Sequence, residues 1–392
     1  MVSRDAVRGT VDRIGGEPVY ARMARKAPLR HVDPTLLVAA VALVAFGAVM
    51  IFSATESKQL QAGLDPGFFL KRQIIYAAVA SIVLVIASAV DYKHLRAAAI
   101  PLYIVGVAGL ALVLTPLGTV TAGARRWFNL GFVTAQPSEI AKLGVIVAVG
   151  ALLARRKGQV RPRDVTLCIA AAVLPMGLIY LEPDLGTMMI FSAVTGALLL
   201  VGGAKVRHFL VLLALCGAAT LAVLRMGLLE DYQLERITAF MDPSPNVQSE
   251  GYSPFQAKIA IASGGVKGKG IHDRNSQTSL DFVPEQHTDF IFTAVGEQLG
   301  FIGSSVLLVL FGLLIWRALR IAAMSRDLFG TLLAAGIAAM WAFQVFVNIG
   351  MTVGIMPITG IPLPFISFGG SSLVTNFACV GLLHNIHMRR FL

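Results

Sequence analysis

Apolar residues run through this chain in long blocks separated by short polar and basic clusters. Uncharged blocks cover residues 34–54, 73–90, 97–124, 165–181, 185–204, 209–224, 301–316 and 328–350. About 20 such residues cross a bilayer as a helix, so each block supplies most or all of one span. Two further spans are less uniform. Pro137–Ala154 carries Glu139 and Lys142 in its first two turns, and 371–387 follows a stretch rich in Pro and Gly. The pattern predicts an all-α polytopic membrane protein with ten transmembrane helices. Residues 226–288 then form a long extracytoplasmic loop between helices 7 and 8. Within that loop 255–262 is apolar with a helical period, suited to lying along or dipping into the interface.

Composition agrees with this picture and removes its rivals. Of 392 residues 56% are hydrophobic and 14% charged, against about 25% charged in an ordinary soluble domain. A chain this apolar cannot cover itself with polar groups, so two or three soluble domains are excluded. The 38 Gly show no three-residue period and there are three Cys, which excludes collagen-like and disulfide-rich classes. Cys168, Cys216 and Cys379 all sit in apolar runs as packing residues, and no HxxxH or CxxC pair suggests zinc. No internal repeat is evident.

The net charge of +11 invites a nucleic-acid partner, but its distribution argues against one. Lys and Arg cluster between the apolar blocks, and seven of the 33 lie in residues 1–32. That segment has no apolar core for a signal peptide and reads as a cytoplasmic basic tail, probed by no packing pattern and expected to be disordered. Residues 33–392 read as a single membrane domain. Threading ten spans from a cytoplasmic start places 21 of the 33 basic residues on the cytoplasmic side, as expected for both termini inside.

Polar groups at membrane depth are costly, and each needs a partner or a purpose. Lys142 lies three positions after Glu139, on the same helical face. Two readings stand: a structural ion pair inside the bundle, or a pair lining an outward cavity where Lys142 meets an anionic substrate. In the run from Gly123 to Gly131, Arg125, Arg126 and Trp127 suit either headgroup anchoring or phosphate binding by paired guanidinium groups. The turn from Glu182 to Thr187 reads as turn chemistry with Asp184 capping the next helix. The run from Ser263 to Gly270 lacks the P-loop pattern, and its amides with Lys267 and Lys269 form either a phosphate cradle or a mobile turn. The densest cluster is Val-Pro-Glu-Gln-His-Thr-Asp-Phe over 283–290. Asp289 there is expected in the first turn of the following helix, as a cap or as a reactive carboxylate, with His287 nearby. Glu297, deeper on that helix, is expected to close a buried hydrogen bond. Residues 357–372 hold too many Pro and Gly for continuous helix, and irregular backbone at this depth must be packed in protein or line an aqueous cavity.

These motifs carry a resemblance. GARRW…QPSEIAK, PDLGT preceded by Glu182, VPEQHTDFIF and GIPLPFISFGGSS occur in the order and spacing of the SEDS family of bacterial cell-wall proteins (shape, elongation, division, sporulation). The resemblance spans nearly all of 34–390. The Asn-Ile-Gly-Met at 348–351 and the Asp-Tyr-Lys-His-Leu at 91–95 look more like the elongation branch than the division branch. There are departures: Glu182 stands where Gln is usual, Phe368 where Tyr is usual, Gln298 where a second Glu is common, and Ser253 follows Tyr252 in place of Gln.

The resemblance implies a ten-helix peptidoglycan glycosyltransferase of the bacterial cytoplasmic membrane that polymerises lipid II at the extracytoplasmic face. It implies a class B penicillin-binding protein as partner, within the elongation machinery. The family's essential Asp falls on Asp289, its acid and base in QPSEIAK on Glu139 and Lys142, and its GARRW residues on Arg125, Arg126 and Trp127. Lys267, Lys269, His287 and Ser371 complete the expected substrate-binding set. Asp289 is expected to act as general base or to hold a divalent cation, Mg or Mn. Two rivals stay open: a lipid II flippase, and a non-catalytic scaffold for the transpeptidase.

Overall fold

The computed structural model describes residues 32–121, 124–129, 131, 134–156, 159–205, 207–208, 225, 251–271, 276–280 and 282–390. The basic tail up to residue 31, the span expected over 209–224 and the stretch 226–250 of the long loop lie outside the described residues.

Capping residues in the sequence set where the helices start. The Asp33 carboxylate accepts from the Thr35 and Leu36 amides, and Pro34 stands where no amide donor is needed, so α1 runs Pro34–Gln61. α2 (Phe68–Ala89) is followed by a short α3 (Tyr92–Ala97), capped by Asp91, and by α4 (Ala99–Val113). Pro137 and Pro162 begin α5 (Pro137–Ala154) and α6 (Pro162–Leu181) in the same way, and Asp184 caps α7 (Leu185–Val201). In the long loop, α8 (Tyr252–Gly264) covers the stretch expected to be helical. α9 (Ile291–Ala323) is interrupted at Gly300, α10 (Leu328–Val353) ends on Gly354 in the left-handed region, and α11 (Gly370–Arg389) closes the bundle.

One expectation is corrected. The uncharged block 97–124 is not all helix: α4 stops at Val113, and β1 (Thr119–Thr121), β2 (Ala124–Asn129) and β3 (Thr134–Ala135) form a small antiparallel sheet. Val120 pairs with Arg125, and Phe128 with Ala135. Lack of charge does not separate helix from strand. Pro116 and Gly118 break the helix, and β-branched Thr119, Val120 and Thr121 favour extended backbone.

Among the described residues, six helices (α1, α2, α5, α6, α9 and α10) are long and apolar enough to cross a membrane, and α4 and α7 are shorter apolar helices. α5 and α10 are largely buried inside the bundle, whereas α2 turns Ile74, Ile75, Ile82, Val85 and Ile86 outward. Aqueous solvent does not tolerate such a stripe, so lipid covers it. This is a multi-pass membrane protein. α11 is less apolar and lies buried from Leu373 to Met388, packed chiefly on α2. Its 20 residues span about 30 Å and connect two chemically distinct ends of the bundle.

Candidate active site

The site is assembled on the irregular segment between α10 and α11. Its backbone cannot bond to itself as a helix does, so neighbours supply the partners. Asn348, in the last two turns of apolar α10, donates from Nδ2 to the carbonyls of Ile361 (2.7 Å) and Asp289 (2.8 Å). The Ser367 hydroxyl donates to the Thr288 carbonyl (2.5 Å) and accepts from the Leu363 amide (2.8 Å). The Phe368 amide donates to the His287 carbonyl (2.9 Å). The three residues His287, Thr288 and Asp289 are thereby laced to 361–368.

Asp289 stands in a turn in which the Glu285 carbonyl accepts from the amides of Thr288, Asp289 and Phe290. α9 proper begins at Ile291, so Asp289 lies two residues before the helix and not in its first turn. The carboxylate is half-buried, neither sealed in apolar packing nor fully exposed. One of its oxygens lies 3.4 Å from where a Cβ would stand on Gly360, whose φ of +68° favours glycine in any case.

Behind Gly360 lies the turn from Glu182 to Thr187. A Cβ on Gly186 would come within 2.6 Å of the Thr359 carbonyl and the Ile361 side chain, so only glycine permits this approach. Asp184 caps α7 as expected, accepting from the Thr187 amide (3.0 Å) and hydroxyl (2.9 Å). Arg126, on β2, donates from Nε to the Glu182 carbonyl (2.8 Å) and from Nη2 to the Pro183 carbonyl (2.6 Å). A continuous path therefore links the Arg126 strand, the 182–187 turn, the irregular segment and the Asp289 carboxylate.

The other expected site residues divide. Arg125 is exposed and neighbours Arg126 on one strand, so their side chains leave opposite faces of β2. Trp127 is half-buried, and its carbonyl accepts from the Thr119 hydroxyl. His287 packs its ring against Phe69 (4.8 Å) and Phe368 (5.8 Å), forming an aromatic wall beside Asp289. Ser371 spends its hydroxyl on the backbone, donating to the Thr134 carbonyl (2.7 Å) and accepting from the Gln136 amide (3.0 Å). Lys142 and Glu139 pair at 2.8 Å and are both enclosed in the bundle. Lys269 pairs with Glu297 at 2.9 Å, while Lys267 is exposed. Glu297 is fully buried and also accepts from the amides of Gln277 and Thr278 and from the Thr278 hydroxyl. It closes a buried network, as expected for that residue.

Two residues given no role from the sequence matter to the geometry. Asn348 orients the Asp289 backbone, and its signal was an amide inside an apolar helix. Lys258, the lone cation of α8, lays its side chain over Gly354 where the irregular segment begins.

The buried bundle, the irregular segment between α10 and α11 and the half-buried Asp289, next in sequence to His287 and its aromatic neighbours, make up the candidate site of a polytopic membrane protein. The family model described as "Cell cycle protein", named for FtsW, RodA and SpoVE, matches residues 34–391, and the chain belongs to this family, the SEDS family. The peptidoglycan glycosyltransferase MrdB of Escherichia coli K12 is 37% identical over 361 residues, covering 92% of this chain and 94% of the relative. Stage V sporulation protein E of Bacillus subtilis is 34% identical, covering 90% and 96%. Among solved structures, a chain from a peptidoglycan synthase complex that coordinates polymerization and crosslinking superposes with a TM-score of 0.78 at 34% identity, covering 92% of this chain and 98% of that one. The rod shape determining protein RodA of Thermus thermophilus gives 0.68 at 31% identity, covering 92% and 98%.

Proposed function

We propose that this chain is a peptidoglycan glycosyltransferase that polymerises lipid II into glycan strands during cell elongation. Its ten spans thread the bacterial cytoplasmic membrane with both termini inside, the 226–288 loop lies outside between helices 7 and 8, and the Asp289 end faces outward. The reading rests on family membership, on relatives bearing this activity, and on one observation: a half-buried Asp289 whose own backbone is held by the Glu285 carbonyl and the Asn348 amide.

In the reaction, the acceptor sugar 4-hydroxyl attacks the anomeric carbon of the growing chain. The Asp289 carboxylate takes the hydroxyl proton as the new C–O bond forms. The bond to the diphosphate breaks, and undecaprenyl diphosphate leaves with the electron pair. An α-linked donor gives a β-1,4 product, so one displacement with one base suffices. Arg126 is committed through two donors to the turn carbonyls, which leaves exposed Arg125 as the better diphosphate contact. In this conformation Lys142 is buried and closed upon Glu139, and it would meet substrate only after leaving that pair. Lys267 can meet headgroup phosphate, whereas Lys269 would first have to leave Glu297.

A divalent cation, Mg or Mn, would supply charge neutralisation on the departing diphosphate. Among the described residues no three His, Cys, Asp or Glu side chains gather to hold one. Asp289 is the residue that would hold it. A class B penicillin-binding protein is the proposed partner, supported by the likeness to a chain of a synthase complex that couples polymerization to crosslinking.

The test uses the chain co-purified with its transpeptidase and reconstituted in liposomes with lipid II. Wild type is expected to make polymer and Asp289→Asn none, with both folded. Normal polymer from Asp289→Asn would refute the assigned base, and translocation of lipid II without polymer in wild type would favour a flippase.

A further inference from the structure

Glu182 is a buried acid that the proposed chemistry leaves unused. It follows the last turn of α6, is 1% exposed, and neither of its carboxyl oxygens has a hydrogen-bond partner among the described residues. The nearest cation does not pair with it: Arg126 is bound instead to the carbonyls of Glu182 and Pro183. Asp184, two residues on, is committed to Thr187 and adds a second negative charge. The segment facing the turn, 357–369, carries no ionisable residue, and neither do 341–353 at the end of α10 or any position of α7. Tyr180 of α6 is exposed, and Glu139 and Lys142 of α5 are paired with each other. A charged carboxylate without a donor is strongly disfavoured in such surroundings, and a neutral one much less so.

We propose that the 182–187 turn keeps its place only while Glu182 is neutral, so that ionisation of Glu182 sets the alkaline limit of polymerisation in this chain. It acts through the path described above. A charged carboxylate draws the Arg126 guanidinium away from the two carbonyls, because a bond between two ionised groups outcompetes one from the guanidinium to a neutral carbonyl. The 182–187 turn then loses its clamp, and through Gly186 and Thr359 the Gly360 backbone beside Asp289 shifts. The activity part rests on the glycosyltransferase reading; the protonation part does not.

Burial first, and Asp184 second, push the Glu182 carboxyl up to about 8, with Arg126 pulling it down. An unfolded Glu titrates near about 4.3. Between those values the unfolded chain has lost the proton that the folded chain keeps. The contribution of the neutral acid to stability is therefore complete below about pH 4.3, declines as pH rises, and is gone above pH 8.

The experiment compares wild type, Glu182→Gln and Glu182→Met as full chains with the transpeptidase partner, following lipid II polymerisation from pH 6 to 9.5. Equal rates are expected at pH 6.5. Above pH 8 wild type is expected to fall about tenfold per pH unit relative to both neutral variants. Superimposable profiles, or a fall in the Met variant matching wild type, would overturn the proposal. Thermal unfolding in detergent over pH 5 to 9 forms a second arm that needs no enzymatic activity. The wild-type midpoint is expected to drop relative to Glu182→Gln as pH rises to 8. A pH-independent difference would overturn the proposal even if no variant made polymer, and a pH-dependent one would uphold the neutral acid if the glycosyltransferase reading failed.

Discussion

The two ends of the bundle handle buried polar groups in opposite ways. Where α1 begins, they close on one another. The Asp33 carboxylate takes two helix amides and the Arg317 guanidinium, with Nε at 2.9 Å. His384 of α11 holds its ring nitrogens 3.0 Å and 3.1 Å from the Val380 and Asp33 carbonyls. Asn385 accepts from the Tyr92 amide and donates to the Ser88 and Val90 carbonyls, locking α11 to the end of α2. At the Asp289 end, Glu182 and Gln73 are buried with neither side-chain polar atom partnered, and the chain leaves regular helix altogether. One end is a rigid clasp. The other tolerates unsatisfied groups and irregular backbone, as proteins do where position matters more than stability.

Five substitutions, in four experiments, test that contrast, beginning with the strongest. Asp289→Asn should lower polymerisation by about 100-fold or more, the scale of lost acid–base catalysis, while leaving the melting midpoint intact. A comparable loss of stability would make Asp289 part of a clasp as well. Arg317→Ala should destabilise by about 3–5 kcal/mol, because Asp33 is left charged and buried, and urea or thermal unfolding in detergent would show it. No destabilisation would mean that the Asp33 end is not held by this pair. Lys142→Met should cost about as much, roughly 3–5 kcal/mol, and Glu139→Gln added to it should recover most of the loss. If the double variant is stable yet inactive, Lys142 has a substrate role beyond the ion pair. Gly360→Ala should cost about 1 kcal/mol from its positive φ and reduce kcat more than KM through the backbone shift that relieves this φ beside Asp289.

Much of this architecture was legible beforehand. The helices α1, α2, α6, α7, α9 and α10 lie over uncharged blocks, and α5 lies over the charged stretch Pro137–Ala154, since insertion into lipid adds up over consecutive residues. The Asp184 cap and the Glu139–Lys142 pair were legible because both involve neighbours three positions apart. The strands β1, β2 and β3 are not legible from the absence of charge, because an uncharged run suits strand as well as helix. Ser371 and Lys269 were assigned to substrate, yet one holds the β3–α5 backbone and the other Glu297, 28 residues away. Their spacing in the chain gives no hint of either contact.

Local order of residues was enough for membrane residence, the number of apolar blocks, the caps and the family, because each depends on segments a few residues long. Packing was needed to learn that Asp289 rests against Gly360, that Arg126 clasps a turn rather than standing beside Arg125, and that Glu182 has no partner. A carboxylate's reactivity follows from its distance to remote donors and from the dielectric around it, and both are set by segments that meet only after folding.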